Sequence, residues 1–259
     1  MSLSFDHWSV AAAKETGKSH RESGMPCQDA FVWWLPRPDT LIAAIADGAG
    51  SKPHSEIGSK IVTEEAVVYL SEAIEADNNI NLHQTTSMIR RAFSYALFCL
   101  NEHANQHSME IEELATTLAV VVARPNWIAA GNLGDGAIVI KTIENEIATL
   151  LAPMQGEFAN ETFFLTSQQH VDLVELAHRN GSFQNFAMLT DGLKKLAFSK
   201  RRPFKPFIDP LFSFHVDSEN GCIASNRLSE FLRSPAISDR TQDDVTLLLA
   251  HCNNGGGDT

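Results

Sequence analysis

The chain reads as an α+β fold in which helices cover antiparallel sheets, and two observations carry that reading. Short apolar, β-branched runs open the sequence, give way after residues 47–51 to two long segments of helical period, and then resume. Strands and helices are also grouped instead of alternating, which is the pattern of segregated layers and not of a βαβ parallel sheet.

Residues 8–13 and 30–34 read as strands, separated by a polar loop that holds Gly17, Gly24 and Pro26. Residues 41–46 form a continuous apolar run too short for a typical helix, so a buried strand is expected. After the turn Asp47-Gly48-Ala49-Gly50-Ser51 the period changes. Ile57, Ile61, Ala66, Val67 and Leu70 mark the apolar face of one helix, and Met88, Ala92, Tyr95, Ala96, Cys99 and Leu100 that of a second, longer one. Residues 116–123 return to β-branched and apolar types, and Pro125-Asn126 makes a turn. Strands at 127–133 and 137–140 follow, with Gly134-Asp135-Gly136 expected as a hairpin turn between them. Segments 147–151, 183–190 and 245–250 complete the sheets, with a helix around 227–233 before the last. Residues 198–220 are the least periodic and are expected to form a mobile flap, and the Gly-rich residues 253–259 a disordered tail. No Pro-rich or charged linker divides the chain, so residues 1–252 are expected to form a single domain.

A length of 259 residues with 44% hydrophobic content supplies a sizeable core. The net charge of -12 argues against nucleic acid, which is bound through dense Lys and Arg. The one basic cluster, Lys200-Arg201-Arg202, reads as a solvated loop, with a substrate or partner contact as the alternative. Cys27, Cys99, Cys222 and Cys252 are widely spaced, which disfavours a thiolate zinc site and a disulfide framework. The N-terminal residues lack a basic-then-apolar signal pattern, and no apolar stretch approaches the roughly 18 residues of a membrane span. A cytoplasmic protein that binds neither nucleic acid nor membrane is therefore expected.

Four short acidic motifs lie where strands are expected to begin or end: Gln28-Asp29, Asp47-Gly48, Asp191-Gly192 and Asp243-Asp244. Carboxylates gathered by a fold are hard oxygen ligands suited to Mg²⁺ or Mn²⁺. Their spacing is too wide for a local metal loop, so the site must be assembled in three dimensions, and the pattern points to metal-dependent chemistry on a phosphate. Three nucleotide or covalent readings fail on spacing. Gly48-Ala49-Gly50-Ser51-Lys52 lacks the GxxxxGK[ST] pattern of a phosphate loop. Gly131-Asn132-Leu133-Gly134-Asp135-Gly136 is not GxGxxG and is followed by a strand. Asp47 is followed by Gly48 and Ala49, so the DxD motif of aspartyl-phosphate phosphotransferases is missing as well.

Taken in order, Ser19-His20, Pro26-Cys27-Gln28-Asp29-Ala30, Ala46-Asp47-Gly48-Ala49-Gly50-Ser51, Thr116-Thr117-Leu118, Gly134-Asp135-Gly136, Thr190-Asp191-Gly192-Leu193 and Asp243-Asp244-Val245-Thr246 resemble the metal-dependent type 2C Ser/Thr protein phosphatases, most of all a compact bacterial subgroup. The resemblance runs from Gly17 to Ala250. It implies a four-layer α-β-β-α sandwich, two central antiparallel sheets flanked by helix pairs, with two Mg²⁺ or Mn²⁺ ions at one edge. It implies further that Asp47 bridges both metals, that the Gly48 carbonyl is a ligand of one, and that Asp191 and Asp243 are ligands of the other. A water activated between the two metals would then attack phosphoserine or phosphothreonine in line, with no phosphoenzyme.

The chain departs from the family pattern at several positions. Gln28 stands where the family commonly has Glu, which keeps a hydrogen-bonding group near the second metal but removes its charge. Asp29 would orient water or a neighbouring side chain, and Asp244 falls at a supporting position. Gly24 replaces a phosphate-binding arginine, which leaves His20 and Arg21 in the adjacent loop as candidate phosphate ligands. Ala49 replaces the histidine proposed as general acid, leaving metal-bound water, His20, His54 or solvent for that role. Asp135 matches one ligand of a third ion but Lys195 takes the place of the other, so two ions are expected, with Asp135 a candidate for weak binding of an extra one. Residues 153–162, with Gly156, Glu157 and Asn160, match a loop of the bacterial subgroup to which no chemistry is assigned. The expected partners are phosphoproteins, a Ser/Thr kinase or that kinase's substrates. A phosphatase-like binding module with decayed catalysis is the alternative from another class, and hydrolysis of small phosphoesters differs only in the depth of the pocket.

Overall fold

The structure, a computed structural model, describes residues 7–77, 79–154, 162–199, 202–214 and 221–253. Several sequence expectations lie outside these residues: the phosphatase-like loop at Gly156, Glu157 and Asn160, the Lys200-Arg201 part of the basic cluster, the end of the expected flap at 215–220, the Cys222 side chain and the tail at 254–259.

Strands β1 (Trp8–Glu15), β2 (Ala30–Arg37) and β3 (Thr40–Ala46) flank a short helix α1 (Lys18–Ser23). Helices α2 (Ser55–Ala76) and α3 (Leu82–His107) follow, then β4 (Leu118–Arg124), β5 (Trp127–Leu133), β6 (Ala137–Thr142), β7 (Ile147–Leu151), β8 (Glu175–Asn180) and β9 (Phe183–Leu189). The chain continues through α4 (Lys194–Ala197), a small hairpin of β10 (Phe198–Ser199) and β11 (Arg202–Pro203), α5 (Lys205–Leu211), α6 (Gly221–Arg233) and α7 (Pro235–Ser238), and closes with β12 (Val245–Cys252). Two five-stranded sheets result, with orders β2-β3-β4-β5-β8 and β1-β12-β9-β6-β7, and every pairing is antiparallel.

Three apolar cores explain why these strands are apolar on both faces. On β3, Leu41, Ala43 and Ile45 point into the space between the sheets, where they meet Val121, Ile128, Trp8, Ile138, Phe186 and Leu248. The alternate residues Ile42, Ala44 and Ala46 face the other way, onto Val62, Ala66 and Leu70 of α2 and Ile89, Phe93 and Leu100 of α3. The far face of the second sheet, with Val139, Leu189 and Leu247, is covered by Ile208 and Leu211 of α5 and Leu228 and Leu232 of α6. A strand sandwiched in this way reads as a continuous apolar run and not as an alternation. The layers are therefore helix, sheet, sheet and helix, the four-layer sandwich that the resemblance implied. Helix α3 begins on a capping box: Asn81 Oδ1 accepts from the Gln84 backbone N–H at 3.0 Å and Gln84 Oε1 from the Asn81 N–H at 2.9 Å. Among the described residues, no helix is long and apolar enough to cross a membrane.

Three local expectations are corrected, and one strand, β8, comes in addition to those expected. Gly134-Asp135-Gly136 does not close a hairpin, because β5 lies in one sheet and β6 in the other; the segment crosses between sheets. The polar loop between β1 and β2 contains α1, which spans only six residues, too few to show a helical period, and ends on Gly24 at φ 71°. Strand β8 is an edge strand with mostly exposed side chains, so it carries no apolar alternation to read. The aperiodic stretch from residue 198 is not loose where it is described: Ile208, Leu211 and Phe212 pack into the third core.

Candidate active site

Antiparallel pairing brings one end of both sheets to the same edge, and the acidic motifs cluster there. Asp47 follows the last residue of β3 and is fixed by the two threonines that precede β4. Its N–H donates to Thr117 Oγ1 at 2.9 Å, and its carbonyl accepts from the Thr117 N–H at 2.9 Å and from Thr116 Oγ1 at 3.0 Å. Gly48 forms an isolated bridge with Thr116, and its N–H donates to the Gln28 carbonyl at 3.2 Å. A Cβ at Gly48 would lie 2.7 Å from the Ser55 carbonyl oxygen and 2.8 Å from that of Gln28, so only glycine fits. Asp191 opens a short 3₁₀ turn just past β9, and the sheet-to-sheet crossing after β5 delivers Asp135. Carboxylate oxygens of Asp47, Asp135 and Asp191 all lie within 4.8 Å of one another.

Such crowding shifts the carboxyls upward. Burial, reinforced by Asp29 and Asp191, holds Asp47 well above the usual carboxylate range. Burial and the nearby Asp135 push Asp191 up to about 6. Asp243 is raised as well, chiefly by burial. Asp243 stands apart from the three-carboxylate group: its Oδ1 accepts from the Asp244 N–H at 2.9 Å while its side chain lines the neighbouring cleft.

Behind the cluster, Asp29 ties three strand ends together. Its Oδ2 accepts from Thr190 Oγ1 at 2.8 Å and from Thr246 Oγ1 at 2.7 Å, and the Thr246 N–H donates to Thr190 Oγ1 at 2.9 Å. Asp29 is buried, and that burial pushes its carboxyl up to about 7 against the hydroxyl bonds that pull it down. Asp244, also buried, has its oxygens occupied: Oδ1 accepts from the Gly17 N–H and Oδ2 from the Gln28 N–H, both at 2.6 Å. The Gln28 side chain donates from Nε2 to the Lys52 carbonyl at 3.2 Å.

A cleft of about 590 Å³ opens beside the cluster, with Asp191, Asp243, His20, Gly50, Lys195 and Arg240 among its walls. The two sequence candidates for phosphate contact part company here. His20 lies on α1 and not in a loop. It is buried, with Nδ1 3.0 Å from Asp244 Oδ2, a close contact off the hydrogen-bonding direction. Its Nε2 faces the cleft wall, 3.5 Å from where a Cβ on Gly50 would stand. Arg21 is exposed, donates to the Thr16 carbonyl, and is not among the residues that line the cleft. The cations on the cleft wall are instead Lys195 and Arg240, both exposed and with no ion pair among the described residues. Arg240 follows α7 outside any motif, so nothing in the sequence singled it out. Lys194 was also missed; its Nζ lies 3.4 Å from Asp135 Oδ2.

The donor set fits a hard divalent cation. It is all oxygen, three carboxylates converge, and Lys194 is the one cation paired with them among the described residues. Oδ1 of Asp29, Oδ1 of Asp191 and Oε1 of Gln28 are buried with no hydrogen-bond partner among the described residues, which leaves acceptor capacity on three of the residues gathered here.

Comparison with known proteins agrees with this geometry. The family described as Protein phosphatase 2C matches residues 16–233. The chain is 30% identical over 252 residues to Serine/threonine-protein phosphatase 3 of Escherichia coli (strain K12), covering 94% of this chain and 98% of that protein. Among solved structures, the serine/threonine phosphatase Stp1 from Staphylococcus aureus superposes with a TM-score of 0.65 at 18% identity, covering 93% of this chain and 94% of its own. The catalytic domain of the serine threonine protein phosphatase PstP, in complex with two manganese ions, gives a TM-score of 0.62 at 15% identity, covering 95% and 98%. An acidic cluster at one sandwich edge, matched along most of the chain, identifies the protein as a member of the protein phosphatase 2C family of metal-dependent Ser/Thr phosphatases.

Proposed function

We propose that residues 1–252 form one catalytic domain that hydrolyses phosphoserine and phosphothreonine in proteins, using two divalent ions, Mg²⁺ or Mn²⁺. The observation that carries this reading is the convergence of Asp47, Asp135 and Asp191 within 4.8 Å beside a cleft of about 590 Å³. Asp47, Asp191, Asp135, the Gly48 carbonyl and, from the cleft wall, Asp243 would hold the ions, with Gln28 beside them. When bound, the ions supply an acidified water as nucleophile and neutralise charge on the phosphoryl oxygens.

The chain's own residues do the rest. Lys195 and Arg240 offer cationic charge to the phosphoryl oxygens at the cleft, where Arg can engage two of them at once. His20 holds its Nδ1 toward Asp244, so Nε2 is the atom left to give or take a proton in the cleft, at the oxygen of the leaving serine or threonine. Asp29, through Thr190 and Thr246, keeps the ends of β9 and β12 in register, and with them Asp191 and Asp243. The open cleft suits a phosphorylated side chain carried on a protein, such as a Ser/Thr kinase or a substrate of one.

The test is Mn²⁺-dependent phosphate release from a phosphothreonine peptide by wild type, Asp47→Ala and Asp191→Asn. Activity should vanish in chelator and fall at least roughly a hundredfold in both variants. A folded wild type that stays inactive with Mg²⁺ and with Mn²⁺ would overturn the proposal in favour of a non-catalytic binding module.

A further inference from the structure

The outer surface of the α2–α3 layer is unlike an ordinary solvent face. Both helices already bury a full apolar stripe against the first sheet, through Val62, Ala66 and Leu70 on α2 and Ile89, Phe93 and Leu100 on α3. Yet Val68 on α2 and Phe98 on α3 remain 45% and 59% exposed on the opposite side, and Trp34 on the edge strand β2 is 56% exposed. A helix face turned to water ordinarily carries polar residues, and grouped exposed apolar residues mark interaction sites. Here the groups are continuous. Trp33, Trp34, Val67 and Val68 line a groove of about 290 Å³ between β2 and α2. Next to it, the rings of Tyr69 and Tyr95 lie 5.3 Å apart and those of Tyr95 and Phe98 6.4 Å apart, forming an aromatic ladder across the two helices. Val68 of the groove and Tyr69 of the ladder are consecutive on α2, which joins the two parts.

The charged residues that line the groove are all acidic. Glu64 and Glu72 rim the groove; Glu65 lies beside the ladder, with its Oε2 3.6 Å from the Cys99 sulfur, and Glu102 acts on the same cysteine. None of these four carboxylates is in an ion pair among the described residues. An apolar groove with an uncompensated acidic rim is complementary to an apolar anchor flanked by cations. A second copy of this chain is a poor match, because it would bring the same carboxylates against themselves in a molecule of net charge -12.

We propose that β2 and the outer faces of α2 and α3 form a docking surface, separate from the catalytic cleft, for a partner protein segment that places an aliphatic or aromatic side chain in the Trp34–Val68 groove and arginine or lysine against Glu64 and Glu72.

The probe is a fluorescently labelled short peptide alternating arginine and leucine, followed by anisotropy, with arginine–serine and glutamate–leucine peptides as controls. The arginine–leucine peptide should bind best. Trp34→Ser, and separately the pair Glu64→Lys with Glu72→Lys, should each weaken it at least about tenfold, as loss of an interface anchor does. The pair Glu146→Lys with Glu175→Lys changes net charge equally on distant exposed positions and should leave binding nearly unchanged. Release of phosphate from a small phosphoester should be the same in all variants. No binding of the arginine–leucine peptide, equal binding of the arginine–serine peptide, or equal loss in the distant charge pair would each overturn the proposal. So would sedimentation of the wild type as a dimer that Trp34→Ser dissociates, which would assign the surface to self-association.

Discussion

Stripping divalent ions from the protein should make its stability fall as pH rises, opposite to the usual behaviour of paired carboxylates. Asp29 is the clearest case. Its ordinary value is 3.8, and burial lifts it to about 7 in the fold. Between these values the folded chain keeps the proton that the unfolded chain has lost, so stability declines through that window and levels off above it. At about 1.36 kcal/mol for each tenfold change, raising the pH from 5 to 8 removes about 3 kcal/mol through Asp29 alone. Asp191, raised to about 6, and Asp47 act in the same direction. A loss of that size lowers the melting temperature by roughly 6–12 °C in a chain of this length. The assay is thermal melting in chelator at pH 5 and pH 8, repeated with excess Mg²⁺ and with Asp29→Asn. Metal-free wild type should melt lower at pH 8, Mg²⁺ should restore it there, and Asp29→Asn should flatten the pH dependence. A metal-free protein that melts as high at pH 8 as at pH 5, or an Asp29→Asn variant with an unchanged slope, would refute the reasoning.

Gly192→Ala places a Cβ 2.0 Å from the Asp244 carbonyl oxygen, so the backbone around Asp191 and Asp243 must shift; phosphate release from a phosphothreonine peptide should drop by about a hundredfold, as displacements of about 1 Å can do. Lys194→Met removes the cation 3.4 Å from Asp135, and calorimetric titration with Mg²⁺ should show binding tightened by up to about fivefold, the scale of a partly exposed pair worth up to about 1 kcal/mol. Thr190→Val leaves the Thr246 N–H without its acceptor and Asp29 with one hydroxyl donor fewer; urea unfolding should show a loss of about 1–3 kcal/mol.

The layers of this fold were readable because they rest on composition over whole segments. Residues 41–46 are too short an apolar run for a typical helix and favour a buried strand, and α2 and α3 announced themselves by period. Elements that depend on a few residues were not readable. Helix α1 has six residues and ends on a left-handed glycine, which reads as a loop. Strand β8 sits at a sheet edge and exposes most of its side chains, so the pattern that marks a strand is missing. The carboxylates were found as motifs, but their division of labour was not. Asp135 has two readings in the sequence, a hairpin turn, because two strands separated by Gly-Asp-Gly ordinarily pair, and a match to one ligand of a third ion. Only the sheet membership of β5 and β6 reveals that the segment crosses layers and carries Asp135 into the group with Asp47 and Asp191.

The Asp-Gly pairs carry the same lesson further. In isolation Asp-Gly signals a tight turn, where glycine is selected for left-handed backbone. Neither Gly48 nor Gly192 adopts such a conformation here. Each is glycine because the end of another element passes against it: the Ser55 and Gln28 carbonyls press on Gly48 and the Asp244 carbonyl on Gly192. The glycine thus records how closely the segments around two carboxylates are packed, and the aspartate beside it is held in place by that packing. A site assembled from distant strand ends of two sheets needs this closeness at each junction, because a shift at one end would separate carboxylates that repel each other until a cation joins them. The same requirement accounts for the buried carboxylates Asp29 and Asp244: Asp29, through Thr190 and Thr246, ties the segment of Asp191 to that of Asp243, and Asp244 ties its own segment to Gly17 and Gln28.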